Sequence, residues 1–105
     1  RAGVAVVELH TGAYCDAVRE GRAQEAAGLL GALRAEAARA AAMGLEVHAG
    51  HGIDYATVKP IAAIPEVAEL NIGHFLIGEA VFVGLAAAIA RMRALMDEAR
   101  IEAAA

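Results

Sequence analysis

A chain of 105 residues, 59% of them apolar, with a formal net charge of −4 and a pI near 5.5, has the composition of one globular core; it is neither a disordered segment nor two domains. No basic stripe interleaves with the two Tyr and two Phe, which argues against a nucleic-acid partner, and the single cysteine, Cys15, cannot form an internal disulfide and fits a reducing cytoplasm. The uncharged run Ala80 to Ala90 is well short of the roughly 18 to 20 apolar residues that span a bilayer, so no membrane partner is expected.

The chain opens at Arg1 without an initiator Met or the charged and apolar regions of a signal peptide, and reads as part of something longer. Val4 to Leu9 (VAVVEL) is a nearly continuous apolar run, as expected of a parallel strand covered on both faces, and it ends in a turn-like Thr11-Gly12. A polar stretch holding Cys15 in a loop follows. Gln24 to Met43 is an Ala- and Leu-rich helix, with Leu29, Leu33, Ala37 and Ala40 on one face and Gly44 at its C-terminal cap. Leu45 to His48 is a short second strand that runs into the glycine-rich AGHG. Thr57 is placed to N-cap a short helix through Ala63, with Pro60 near its first turn and Pro65 closing it. Glu69 to Ile72 is a third strand, ending in Gly73-His74. From Phe75 the pattern is helical, broken near Gly84, and it resumes with Leu85, Ile89, Met92 and Met96 on an apolar face and Arg91, Asp97, Glu98 and Arg100 toward water; the tail after Ile101 is expected to fray.

Three successive strand–helix units with short connections define the α/β class with a parallel sheet. Three strands are few for either of the usual closures: an eight-stranded barrel needs about 250 residues, and a flavodoxin-like or Rossmann-like sheet also needs more strands.

Polar groups gather at one kind of place. Glu8 and His10 end the first strand, His48 and His51 the second, and Asn71 and His74 the third, so all four histidines fall at strand C-terminal ends, where parallel α/β folds bind ligands. Glu8 is a carboxylate within an apolar run; buried unpaired it would cost several kcal/mol or take up a proton. The period of two puts His10 on the same face. His51 projects between Gly50 and Gly52, which lets backbone amides approach a ligand and suits a general acid or base. Gly73-His74 immediately precedes a helix, where free N–H groups bind an anion, commonly a phosphate. Gly-His strings also occur as plain turns, and Glu8 could equally serve a structural ion pair. No H-x-H or H-E-x-x-H spacing supports a metal, no glycine-rich nucleotide motif supports a cofactor, and Cys15 has no neighbouring base to make it a nucleophile.

Three segments, VELHTGAYCDA, GLEVHAGHGIDYATVKPIAAIPEVAELNIGH and AVFVGL, closely resemble the pyridoxine 5'-phosphate synthase family over nearly the whole chain, most weakly between Val18 and Met43. The resemblance implies that residues 1–105 are the C-terminal part of a single TIM-barrel domain, its last three βα units (strands six to eight). It implies an enzyme of vitamin B6 biosynthesis that condenses 1-deoxy-D-xylulose 5-phosphate with 3-amino-2-oxopropyl phosphate to give pyridoxine 5'-phosphate, phosphate and water, needs neither organic cofactor nor metal, and assembles as an octamer. It assigns His51 as proton donor, Glu8 as transition-state stabiliser, and Gly52, Gly73 and His74 as ligands of the aminoketone phosphate. His48 stands where the family usually has Asn, and Glu79 where Arg is common. The other catalytic residues and the remaining phosphate ligands lie in strands this chain does not contain, so the 105 residues alone are expected to be inactive. The competing readings are a non-catalytic phosphate-binding or assembly piece, and another phosphate-binding barrel enzyme such as an isomerase.

Overall fold

Three parallel strands in the order β1-β2-β3 form the centre of the computed structural model, which describes residues 3–104. They are β1 (Val6–His10), β2 (Glu46–Gly50) and β3 (Val67–Asn71). The helices are α1 (Gly12–Arg19), α2 (Ala23–Ala42), α3 (Val58–Ala62), α4 (His74–Val83) and α5 (Leu85–Ala104). Glu8 lies beside His48 and His10 beside Gly50; on the other side of β2, His48 lies beside Glu69 and Gly50 beside Asn71. The register slips between Val47 and His48, leaving Ala68 as the extra residue on β3.

The period of two then divides the sheet into unlike faces. Val7, Leu9, Val47, Ala49, Val67 and Leu70 turn into the core with the helices. Glu8, His10, Glu46, His48, Glu69 and Asn71 take the other face, on which Glu8, His10, Glu69 and Asn71 are exposed. This corrects the expectation that β1 is covered on both sides: Val6 is 50% exposed, and one face is bare among the described residues. Glu8 is accordingly solvated instead of buried in apolar surroundings. Fully buried Ile61, Ile64, Val47 and Val58 anchor the core, each contributing about 1.5–3 kcal/mol.

The helix over Gln24 to Met43 forms as expected from its spacing. Gly44 adopts φ +83°, and the N–H groups of Gly44 and Leu45 donate to the carbonyls of Ala41 and Ala40 at 2.9 and 3.1 Å, a Schellman termination. Other boundaries differ. The stretch after Thr11 is not a loop but helix α1, in which Tyr14, Cys15 and Ala17 are buried. Ala49 and Gly50 belong to β2, so the turn begins only at His51. Thr57 occupies the N-cap position of α3, yet its hydroxyl does not cap the helix: it accepts from the Asp54 N–H at 2.9 Å while Asp54 Oδ1 accepts from the Thr57 N–H at 3.0 Å. That reciprocal pair is a capping box one turn earlier.

In α5 the buried residues are Ala88, Met92 and Ala99, whereas Leu85 and Ile89 are 54% and 49% exposed. Helix α5 packs against α3, and Arg100, expected to face water, instead donates to the carbonyls of Ala62, Ile64 and Val67. Arg91 sits 4.1 Å above the Tyr55 ring, a cation–π contact. Helix α5 extends past Ile101 to Ala104. No helix among the described residues is long and apolar enough to cross a membrane.

Candidate active site at the strand ends

At the carboxyl ends of the strands lies an open cavity of about 470 Å³, lined among others by Glu8, His10, His51, Gly52, Gly73 and His74. All five residues singled out as catalytic or phosphate-binding therefore share one cleft. His48 does not. It is third of the five residues of β2, and its ring lies 2.7 Å from Glu46 Oε2 and 3.4 Å from Glu69 Oε2, down the sheet from the cavity. Three histidines, not four, occupy strand ends. Glu79, the other residue that departs from the family pattern, lies on α4 outside the cavity wall.

His51 is held from two sides. It has φ +93°, the one described non-glycine residue with positive φ, a backbone state that costs of order 1–3 kcal/mol and persists only where neighbours enforce it. The enforcing neighbour is Thr11, 1% exposed, whose hydroxyl donates to the His51 carbonyl at 2.7 Å and whose N–H donates to the Gly50 carbonyl at 2.9 Å. Above this, the imidazole stacks on His10 with centroids 4.4 Å apart and planes at 24°. Although Glu8 and His10 share a strand face, His10 is turned to His51 and Glu8 accepts from the Asn71 amide at 2.7 Å.

Gly12 opens the space for the His51 ring, since a Cβ there would lie 2.7 Å from its Cδ2. Gly52, at φ +78°, continues the turn. Its carbonyl accepts from Arg19 Nη1 at 2.7 Å, and the same guanidinium reaches Asp54 Oδ2 at 3.2 Å and Asp16 Oδ1 at 2.8 Å. Asp16 first, and Asp54 after it, raise the Arg19 pKa and keep it charged. Gly73 is the N-cap of α4 and His74 its first residue, so unpaired N–H groups of that helix open beside the cleft.

Sequence reasoning missed Thr11, Arg19 and Asp54. Only the D-x-x-T spacing of Asp54 and Thr57 was a usable local signal; the contacts of Arg19 and Thr11 join residues far apart in the chain. Cys15 faces the core behind the cleft, fully buried, and burial above all raises the pKa of its thiol. A protonated buried thiol is not a nucleophile. Among the described residues, no group of three or more His, Cys, Asp or Glu side chains is arranged to hold a metal ion.

A parallel βα sheet with glycine turns, an imidazole, a carboxylate and a helix N-terminus converging on its strand ends defines an α/β protein of the kind that binds small ligands at that edge. The sequence profile described as "Pyridoxal phosphate biosynthesis protein PdxJ" matches residues 1–98, and the chain belongs to this family. It is 73% identical over 104 residues to the pyridoxine 5'-phosphate synthase of Caulobacter sp. strain K31, covering 99% of this chain and 41% of that protein. The proteins of the same name from Caulobacter vibrioides and Cereibacter sphaeroides are 71% and 69% identical, over 96% and 98% of this chain and 40% of each relative. The chain thus spans about two fifths of the length of these relatives.

Proposed function

We propose that the chain forms the last three βα units (strands six to eight) of a TIM-barrel pyridoxine 5'-phosphate synthase. In this reading it helps join 1-deoxy-D-xylulose 5-phosphate to 3-amino-2-oxopropyl phosphate, releasing pyridoxine 5'-phosphate, phosphate and water. The observation that carries the reading is the convergence of Glu8, His51, Gly52, Gly73 and His74 on one strand-end cleft in a chain whose relatives bear that enzyme's name.

Each group has a task that follows from its chemistry. The phosphate of the aminoketone lies against the N-terminus of α4, where the Gly73-His74 backbone and the turn at Gly52 offer N–H donors and the helix dipole favours an anion. His51, held rigidly by Thr11 and His10, delivers a proton to the leaving oxygen as the ring closes; a fixed imidazole loses no orientational freedom in that step. Glu8, solvent-accessible, stabilises positive charge that develops on the condensing nitrogen. The reaction is acid–base chemistry throughout and calls for no metal or organic cofactor.

The 105 residues form one wall of the cleft, with a bare polar sheet face opposite the helices. Alone they are inactive, and the site is completed by the rest of the barrel in an octameric, cytoplasmic enzyme. The complete reading frame that encodes this chain, supplied with both substrates, should form pyridoxine 5'-phosphate and release phosphate in step with it. Absence of product with both substrates present overturns the reading.

A further inference from the structure

The relationship of Glu8 to Asn71 goes beyond these assigned roles. The two residues sit on the outer strands, with β2 between them. With two strand spacings of about 4.8 Å and a two-residue offset along the strands, their backbones are roughly 12 Å apart, yet Asn71 Nδ2 donates to Glu8 Oε2 at 2.7 Å. The side chains meet above Gly50. A Cβ on Gly50 would lie 3.1 Å from Glu8 Oε2, 3.0 Å from Asn71 Cβ and 2.8 Å from the Asn71 carbonyl oxygen, so the bridge exists because the middle strand has no side chain at that point. Gly50 has no positive φ to explain it as a turn residue; the close approach of the Asn71 backbone carbonyl and of both bridge partners leaves no room for a Cβ there.

The choice of donor matters. A lysine or arginine would also hold the carboxylate, but would neutralise it. An amide fixes one oxygen while leaving the whole negative charge, which a group meant to face developing positive charge requires. An exposed glutamate without such a tether is free about three side-chain torsions, and freezing them ahead of reaction is a contribution to rate.

We propose that Asn71 is a positioning residue for Glu8, acting through a hydrogen bond that Gly50 lets pass over β2. The inference rests on the proposed role of Glu8 in turnover. The test compares Asn71→Ala, Asn71→Asp, Glu8→Gln and the double variant Glu8→Gln/Asn71→Ala in the complete reading frame. Asn71 is exposed, so none of these threatens the core. Asn71→Ala should lower kcat about 10-fold to 100-fold with KM for both substrates held within about 3-fold, and Asn71→Asp, which sets a second carboxylate against Glu8, should lower it further. In the Glu8→Gln background, Asn71→Ala should change kcat by less than about 2-fold, since its partner is already gone.

A normal kcat for Asn71→Ala beside a slow Glu8→Gln would overturn the positioning role and leave the proposed function standing. An equal loss from Asn71→Ala in both backgrounds would also overturn it, because Asn71 would then act independently of Glu8. A fully active Glu8→Gln would remove the role of Glu8 itself and the inference with it. Gly50→Ala keeps both side chains but sets a Cβ against the Asn71 carbonyl and between the two partners; kcat should fall, and a folded Gly50→Ala enzyme with normal kcat would contradict the route over β2.

Discussion

His10 and His51 stack with ring centroids 4.4 Å apart, so the last residue of one strand forms a wall for the imidazole that follows the next. The floor of the same slot is Gly12, where a Cβ would come within 2.7 Å of the His51 ring. Gly12→Ala should therefore push the imidazole aside. Because Gly12 opens helix α1, alanine is also the better helix former there, by up to about 1 kcal/mol. The expected outcome is a melting temperature that holds or rises while kcat falls about 10-fold to 100-fold; parallel thermal melts and turnover measurements check it. A fall in both would mean that Gly12 is there for packing alone.

The backbone of His51 stores strain that Thr11 retains. Thr11→Val keeps the shape and loses the O–H donor to the His51 carbonyl, and should cost about 1 kcal/mol in denaturant unfolding. His51→Gly should do the reverse, relieving the positive φ and stabilising the protein by about 1 kcal/mol while abolishing turnover. Opposite stability changes at two hydrogen-bonded neighbours would be a signature of strain held for function.

Cys15 and Tyr14 give the fold an alkaline weakness. Burial is the largest cause raising both pKa values, with Coulombic repulsion between the two adding to the shift at Tyr14. Below the ordinary thiol value of 9.0 both folded and unfolded chains keep the proton and nothing changes. Above it the unfolded chain releases a proton that the folded chain retains, so stability must fall as pH rises. Chemical denaturation between pH 7 and pH 11 should show this decline, and Cys15→Ala should flatten its lower part, leaving the contribution of Tyr14 above 10.0. The thiol should also react with maleimides only as fast as the protein unfolds.

Arg19 ties the turn after β2 to helix α1 through Gly52, Asp54 and Asp16. Its ion pairs are 41% exposed on the arginine side, and such pairs contribute about 0–1 kcal/mol to stability. Arg19→Gln should leave unfolding nearly unchanged. Its effect should appear in KM for the aminoketone phosphate, raised about 10-fold, with kcat within about 2-fold, because the turn that carries Gly52 is loosened. Steady-state kinetics with each substrate varied in turn would decide it; a loss confined to kcat would contradict this assignment.

What could be read from the chain followed physical lines. Periodicity and Gly/Pro punctuation placed α2 and all three strands to within a few residues, and glycines beside histidines at strand ends pointed to the cleft. Helix α1 escaped because Thr11-Gly12 reads as a turn and eight residues carrying Tyr and Cys have weak helical propensity; tertiary burial of Tyr14, Cys15 and Ala17 decides that segment. The apolar face of α5 is expected at the large residues Leu85 and Ile89, whereas the small residues Ala88 and Ala99 are the ones buried beside Met92. The pairs Glu8–Asn71 and Thr11–His51 join residues 63 and 40 positions apart. No local pattern encodes them, and they depend on register.

The central claim, that His51 donates a proton in pyridoxine 5'-phosphate formation, is tested most directly by His51→Asn in the complete reading frame. Asn tolerates positive φ, so the turn and its Thr11 bond should survive and thermal stability should stay within about 1 kcal/mol of the parent. The account predicts that product formation falls about 100-fold or more with little change in KM. Turnover within a few-fold of the parent enzyme, with the variant folded, would contradict it.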